Sequence, residues 1–199
     1  MSIVAINLAL IPKPIDLYHD INRALYSEND RSFLFDGNHI PHITLLQVYV
    51  SQDDLLDLWG LVAARVASYN LRRQEGVSFV SKEDGSALLM LEPLEDLKAL
   101  HQDIHELIAP FVRVPEVPAE AFREPPSDSG IHCVANFREI HSLEKFEPHI
   151  TLGKGLIPEE FDQQGRAQFP LHLECTKFVL ARLGRNGTIP SQAYYSVNV

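Results

Sequence analysis

Two pentapeptides carry the residue types from which chemistry can be built. Pro41-His42-Ile43-Thr44-Leu45 recurs unchanged as Pro148-His149-Ile150-Thr151-Leu152, with the two histidines 107 residues apart in a chain of 199. An extended strand sends successive side chains to opposite faces. His42 and Thr44 therefore share one face, Ile43 and Leu45 the other, and His149 and Thr151 pair in the same way. The apolar residues can enter a core while an imidazole and a hydroxyl project together. Brought face to face, the two copies would surround one small volume with two imidazoles and two hydroxyls. Histidine titrates near neutrality, so one of a pair can accept a proton while the other donates one. Threonine hydroxyls can donate to oxygens on which charge develops. The set suits in-line displacement at phosphorus, with base and acid on opposite sides, and it needs no metal.

The elements around the two motifs read as a repeated unit. Ile3–Leu10 is an apolar strand. Pro14 to Tyr26 follows with Leu17, Ile21, Ala24 and Leu25 at helical spacing. The His42 motif continues as a strand to Val50. Ser51 with Asp54 forms a capping-box start to a helix carrying Leu55, Leu58, Trp59, Val62 and Val66, and Val77–Val80 is a short strand. The second half repeats the order. Ala87–Leu91 is a strand, Leu94 to Phe111 a helix, and the His149 motif a strand; a short helix after Pro158 and strands at Leu171–Arg182 and Tyr194–Val199 complete it. Leu10 to His42 spans 32 residues and Leu91 to His149 spans 58, so the second unit carries 26 more, placed between Arg113 and His141. Pro115, Pro118, Pro125 and Pro126 predict a loop there, with a helix over Ile131–Leu143. One bilobal domain spanning 1–199 is expected, with repeat units at roughly 1–82 and 86–199.

Composition narrows the class. Apolar residues make up 45% and charged residues 22%, an ordinary globular balance that excludes wholesale disorder. No apolar run is long enough to span a bilayer. Ile3 to Ile11 is apolar but has no basic flank and is closed by Pro12 and Pro14, so a strand is expected and not an export signal. Two cysteines, Cys133 and Cys175, are too few for a disulfide framework, which points to a reducing cytoplasm. The net charge of −10 argues against broad electrostatic coating of nucleic acid, though not against a pocket for one nucleotide or RNA end. Nothing demands an oligomer, and a monomer is expected.

The paired motifs His42-Ile43-Thr44-Leu45 and His149-Ile150-Thr151-Leu152, one per half, resemble the 2H phosphoesterase superfamily, which includes 2′–5′ RNA ligase-like proteins and cyclic phosphodiesterases. Leu183 to Thr188 is also similar to a turn late in that family. The resemblance implies an α+β fold with two antiparallel sheets and flanking helices around a central cleft, related by a pseudo-twofold. It implies that His42 and His149 act as an acid–base pair, that Thr44 and Thr151 bind phosphate, and that no metal or other cofactor takes part. The implied substrates are 2′,3′-cyclic phosphates and 2′–5′ phosphodiesters of RNA or nucleotides, in hydrolysis or in ligation. A non-catalytic module that binds a nucleotide or RNA end is the alternative.

Further candidates for substrate binding are Lys154, Arg182, Arg185 and Tyr49, with Tyr195 as a second aromatic able to stack on a base. His39 lies close enough in sequence to support His42. His101 and His105 stand four apart on a helix, a spacing that can bind zinc. They lack the glutamate of the metalloprotease motif, so a helix face is the expected reading, with a zinc hydrolase as the competing one.

Overall fold

The computed structural model describes residues 2–26, 34–36, 39–141 and 143–199, with all side chains among them except those of residues 164–167. Among the described residues there are seven strands and six α-helices. The first half runs β1 (Ile3–Pro12), α1 (Asp16–Ala24), β2 (Ile43–Ser51), α2 (Leu55–Val66) and β3 (Arg73–Ser81). The second runs β4 (Ser86–Leu91), α3 (Glu95–Ile108), α4 (Asp128–Ala135), α5 (Phe137–His141), β5 (His149–Lys154), α6 (Glu159–Gln168), β6 (Leu171–Arg182) and β7 (Tyr195–Asn198). The α+β class expected from the sequence is the one observed.

All strand pairs are antiparallel, in the order β2-β1-β6-β3-β4-β5, with β7 also on β6. The expected pair of separate sheets is instead one continuous path. The reason lies in β6, which is twelve residues long and changes partner midway. Its residues from Cys175 onward pair with β1, and Leu171–Glu174 pair with β3. The exchange falls at Pro12, which has no N–H to extend the β1 ladder. Nor does either half close on itself, because β3 pairs with β4 while β6 pairs with β1.

β1 is buried without a break from Val4 to Leu10, so both of its faces are covered. On one face Ile6, Leu8 and Leu10 pack with Tyr18 and Ile21 of α1 and with the apolar stripes of α2 and α3. On the other, Ala5 and Ala9 join Ala181 to leave room for Ala121, Phe122 and Val134. That second cover comes from the residues inserted before the second motif. Two elements there differ from expectation. The helix predicted over Ile131–Leu143 is two short helices broken at Asn136, whose backbone (φ −118°, ψ 18°) leaves the helical region. Ser51 caps a 3-10 turn (Gln52–Asp54) by accepting from Asp53 N at 3.2 Å. Asp54 does not complete a capping box, because its carboxylate takes Arg113 at 2.8 Å. No described helix is long and apolar enough to cross a membrane.

The Tyr18 hydroxyl is fully buried on α1 with no hydrogen-bond partner among the described residues. A buried hydroxyl without a partner costs roughly 1–3 kcal/mol. Tyr18→Phe is therefore expected to raise stability by about 1 kcal/mol in urea denaturation; a drop in the midpoint would show that the hydroxyl has a partner in solution.

Candidate functional site

Both motifs open onto one cavity of about 310 Å³. His42, Thr44, His149 and Thr151 all line it. Its size is at the small end of ligand-binding cavities, enough for one nucleotide-sized group and too small for a duplex.

Each motif strand contains one extra residue. β2 passes from Thr44 opposite Ala9 to Leu46 opposite Leu8, which leaves Leu45 out of the ladder. β5 passes from Thr151 opposite Leu88 to Gly153 opposite Ala87, which leaves out Leu152. A β-bulge of this kind shifts the alternation by one. Strict alternation from His42 would bring Leu46 to the cavity face; the bulge brings Gln47 instead and sends Leu46 into the core. The same shift replaces Gly153 with Lys154, five residues after His149 as Gln47 is five after His42.

The two imidazoles are held alike. His42 Nδ1 lies 2.8 Å from Ile40 O, and His149 Nδ1 lies 2.8 Å from Glu147 O. A carbonyl only accepts, so Nδ1 carries the proton in each ring and Nε2 is left as the nitrogen able to accept one. Burial pushes the His42 imidazole down to about 4. Hydrogen bonding to the Ile40 and Gly187 backbone works the other way, and His149 adds to the depression. Burial also lowers His149, opposed by its bond to Glu147 and reinforced by Lys82. Both rings are therefore neutral at pH 7. Thr44 Oγ1 accepts from Asn7 Nδ2 at 3.0 Å, which leaves its own proton to donate into the cavity.

Of the other sequence candidates, Lys154 lines the cavity but is already engaged. Its ammonium donates to Ser86 Oγ at 3.1 Å and Asp84 O at 3.2 Å and sits 3.6 Å from the Asp84 carboxylate. His39 lines the cavity with its ring edge-on to His42 at 5.9 Å. Tyr49, Arg182 and Arg185 are not among the residues that line this cavity. Tyr49 shares the face of β2 that carries Gln47 but lies further along the strand, buried against Phe122, and its hydroxyl donates to Ile131 O. Arg182 donates to Ala121 O and Glu120 O, both at 3.1 Å, and so ties the inserted segment to β6. Arg185 is exposed at the start of a 3-10 turn. Tyr195 stacks on Trp59 at 5.7 Å.

His101 and His105 face inward from α3, 1% and 5% exposed, and do not form a zinc pair. Both nitrogens of His101 are taken, Nδ1 by Leu45 O at 2.8 Å and Nε2 by Leu143 N at 3.1 Å. Among the described residues no three His, Cys, Asp or Glu side chains are placed to hold a metal ion.

Sequence reasoning missed most of the enclosing wall. Ser129, Gly130 and Cys133 of α4 and Phe137 and His141 of α5 line the cavity, so the inserted residues form one side of it. Asn186, Gly187 and Thr188 form another. This is the stretch that resembled a family turn, and it needs Gly187 at φ 79°, where an added Cβ would meet Gln47 Nε2 at 3.1 Å. Ser127, the cap of α4, donates to Asn186 Oδ1 at 2.8 Å and joins the two walls. The Cys133 thiol sits 3.8 Å from Gln47 Oε1, and burial pushes it up to about 11, so it is not a nucleophile at neutral pH.

A family model described as the 2′-5′ RNA ligase superfamily matches residues 14–187, and the chain belongs to that family, within the 2H phosphoesterases. Membership makes it a phosphoesterase-type enzyme. No curated protein gives a significant match to the chain.

Burial lowers His42, His101 and His105 each to about 4 from an ordinary value near 6.5. The native state keeps them neutral, while the unfolded chain protonates them below about pH 6.5. Their contribution is therefore complete above pH 6.5 and lost as pH falls toward 4. Unfolding at pH 5 is expected to take up about two to three protons, seen as a matching slope of unfolding free energy against pH. A flat profile between pH 7 and 5 would contradict these buried neutral rings.

Proposed function

We propose that this protein cleaves a 2′,3′-cyclic phosphate or a 2′–5′ phosphodiester at an RNA end or on a nucleotide, with His42 and His149 as the acid–base pair. The observation that carries this reading is that both His-x-Thr pairs line one cavity. The neutral Nε2 of one histidine removes a proton from water, whose oxygen attacks phosphorus. The other histidine, protonated, donates to the leaving ribose oxygen as its bond to phosphorus breaks. The products are a phosphomonoester and a free hydroxyl. With a ribose 5′-hydroxyl in place of water attacking a 2′,3′-cyclic phosphate, the same two proton transfers form the new P–O5′ bond as the P–O3′ bond breaks, which joins a 2′–5′ linkage and frees the 3′-hydroxyl.

The acid's proton has a physical source. Burial keeps both rings neutral, and a phosphodiester monoanion beside them favours the imidazolium form, so substrate and proton are taken up together. The Thr44 and Thr151 hydroxyls bind the non-bridging oxygens. The strand order supports a duplicated origin for this arrangement, since β2-β1-β6 and β5-β4-β3 place the motif strands in corresponding positions. Asp84 and Glu147 also line the cavity and Lys154 is paired, which fits a monoanion better than a ligand with several charged phosphates.

The test is turnover of nucleoside 2′,3′-cyclic phosphates and of cyclic-phosphate-ended RNA in EDTA. His42→Ala and His149→Ala are each expected to lose about 10²–10⁴ in kcat with folding intact. Thr44→Val and Thr151→Val are each expected to lose roughly tenfold to a hundredfold. Full activity in either histidine variant would overturn the assignment. Tight nucleotide binding with no turnover across the panel would favour the binding-module reading.

A further inference from the structure

The polar side chains that α1 and α3 turn inward among apolar neighbours include Asn22 at 4% exposed and His101 at 1%. Burying a polar group costs free energy unless its partners are supplied. Four hydrogen bonds form a matched set. Asn22 Nδ2 donates to Leu152 O at 2.7 Å, and Asn22 Oδ1 accepts from Phe35 N at 3.0 Å. His101 Nδ1 donates to Leu45 O at 2.8 Å, and His101 Nε2 accepts from Leu143 N at 3.1 Å.

Leu45 and Leu152 are the two bulge residues, each directly after the threonine of its motif. A bulge residue is left out of its ladder, so its carbonyl needs another donor. In both cases the donor comes from a helix of the other half of the chain. The two N–H groups lie on the approaches to the motifs, Phe35 seven residues before His42 and Leu143 six before His149. Each side chain thus holds the bulge of the opposite motif with one arm and the approach to its own half's motif with the other.

Two further contacts extend the brace to the rings. On one approach, Phe35, His39 and His42 form a chain of edge-on contacts at 5.1 and 5.9 Å. On the other, His101 stacks on Phe146 at 3.9 Å, and Phe146 lines the cavity. Leu143 itself sits at φ 57°, an unfavourable backbone for a leucine that persists only where its surroundings hold it.

We propose that Asn22 and His101 are paired positioning residues, a crossed clamp that sets the two His-x-Thr motifs against each other. Neither lines the cavity. They act by fixing the bulges that aim His42, Thr44, His149 and Thr151. Leucine at either position would suit the apolar surroundings but would leave a strand carbonyl and a loop N–H unpaired. A fully satisfied buried polar network is a means of specifying one geometry. The kinetic part of the test rests on the function proposed above, and the spectroscopic part does not.

The test uses the full chain and two variants that each release one arm. Asn22→Asp keeps an acceptor for Phe35 N and loses the donor to Leu152 O. His101→Asn keeps a donor that reaches Leu45 O and loses the acceptor for Leu143 N. Both release the second motif while the first stays held. Imidazole nitrogen NMR is therefore expected to show His149 shifted in both variants and His42 unchanged. His101→Leu, which releases both arms, is expected to shift both rings. On a nucleoside 2′,3′-cyclic phosphate, each single-arm variant is expected to lose about tenfold in kcat with KM within about threefold, the effect of a small misplacement of reacting groups.

His149 unmoved in either single-arm variant, His42 moving as far as His149, or a loss confined to KM would each overturn the clamp. Should His101→Leu fail to fold, the two single-arm variants decide alone. Absence of turnover in the wild-type protein would count against the proposed function and leave the NMR comparison as the decisive test of the clamp.

Discussion

Leu45 and Leu152 each interrupt a β-ladder one residue after a threonine, and the geometry of the cavity depends on those two interruptions. A regular strand would continue the alternation and bring Leu46 and Gly153 to the cavity face. With the bulges, a polar side chain stands at the corresponding place in each strand, Gln47 in one and Lys154 in the other. The bulges also turn two strand carbonyls toward the helices, where Asn22 and His101 meet them. One local irregularity, used twice, thereby links the catalytic candidates to the core.

The inserted residues of the second half have a related role. They cover the second face of β1 through Ala121, Phe122 and Val134, and through α4 and α5 they close one side of the cavity. Arg182 and Ser127 tie this segment to β6 and to the Arg185–Gly187 turn. The acidic balance is compatible with the proposed uptake of a monoanion between two neutral imidazoles and a paired lysine, because such a charge is single and local. The net charge of −10 bears on the outer surface more than on this enclosed volume.

Much of this was legible in the sequence where a pattern repeats. The duplicated pentapeptide places His42 with Thr44 and His149 with Thr151 on one face by strand alternation alone, and Ile3–Leu10 and Leu171–Arg182 read directly as strands. The bulges were not legible, since an extra residue in a ladder has no signature in residue type; for that reason Gln47 was missed. Arg182 and Tyr49 looked like ligand contacts because their chemistry allows it, but the backbone carbonyls they serve lie 50 or more residues away in the chain. His101 and His105 have metal-like spacing, and only the tertiary structure shows that Leu45 O and Leu143 N occupy both nitrogens of His101. The single sheet path was likewise hidden, because it follows from β6 changing partners at Pro12.

The most direct test of the central claim is a crystal structure of the protein with a nucleoside 2′-monophosphate. The expected result is a phosphorus atom between Nε2 of His42 and Nε2 of His149, with the Thr44 and Thr151 hydroxyls on its non-bridging oxygens. A phosphate bound outside this cavity, or held by only one of the two motifs, would contradict the account.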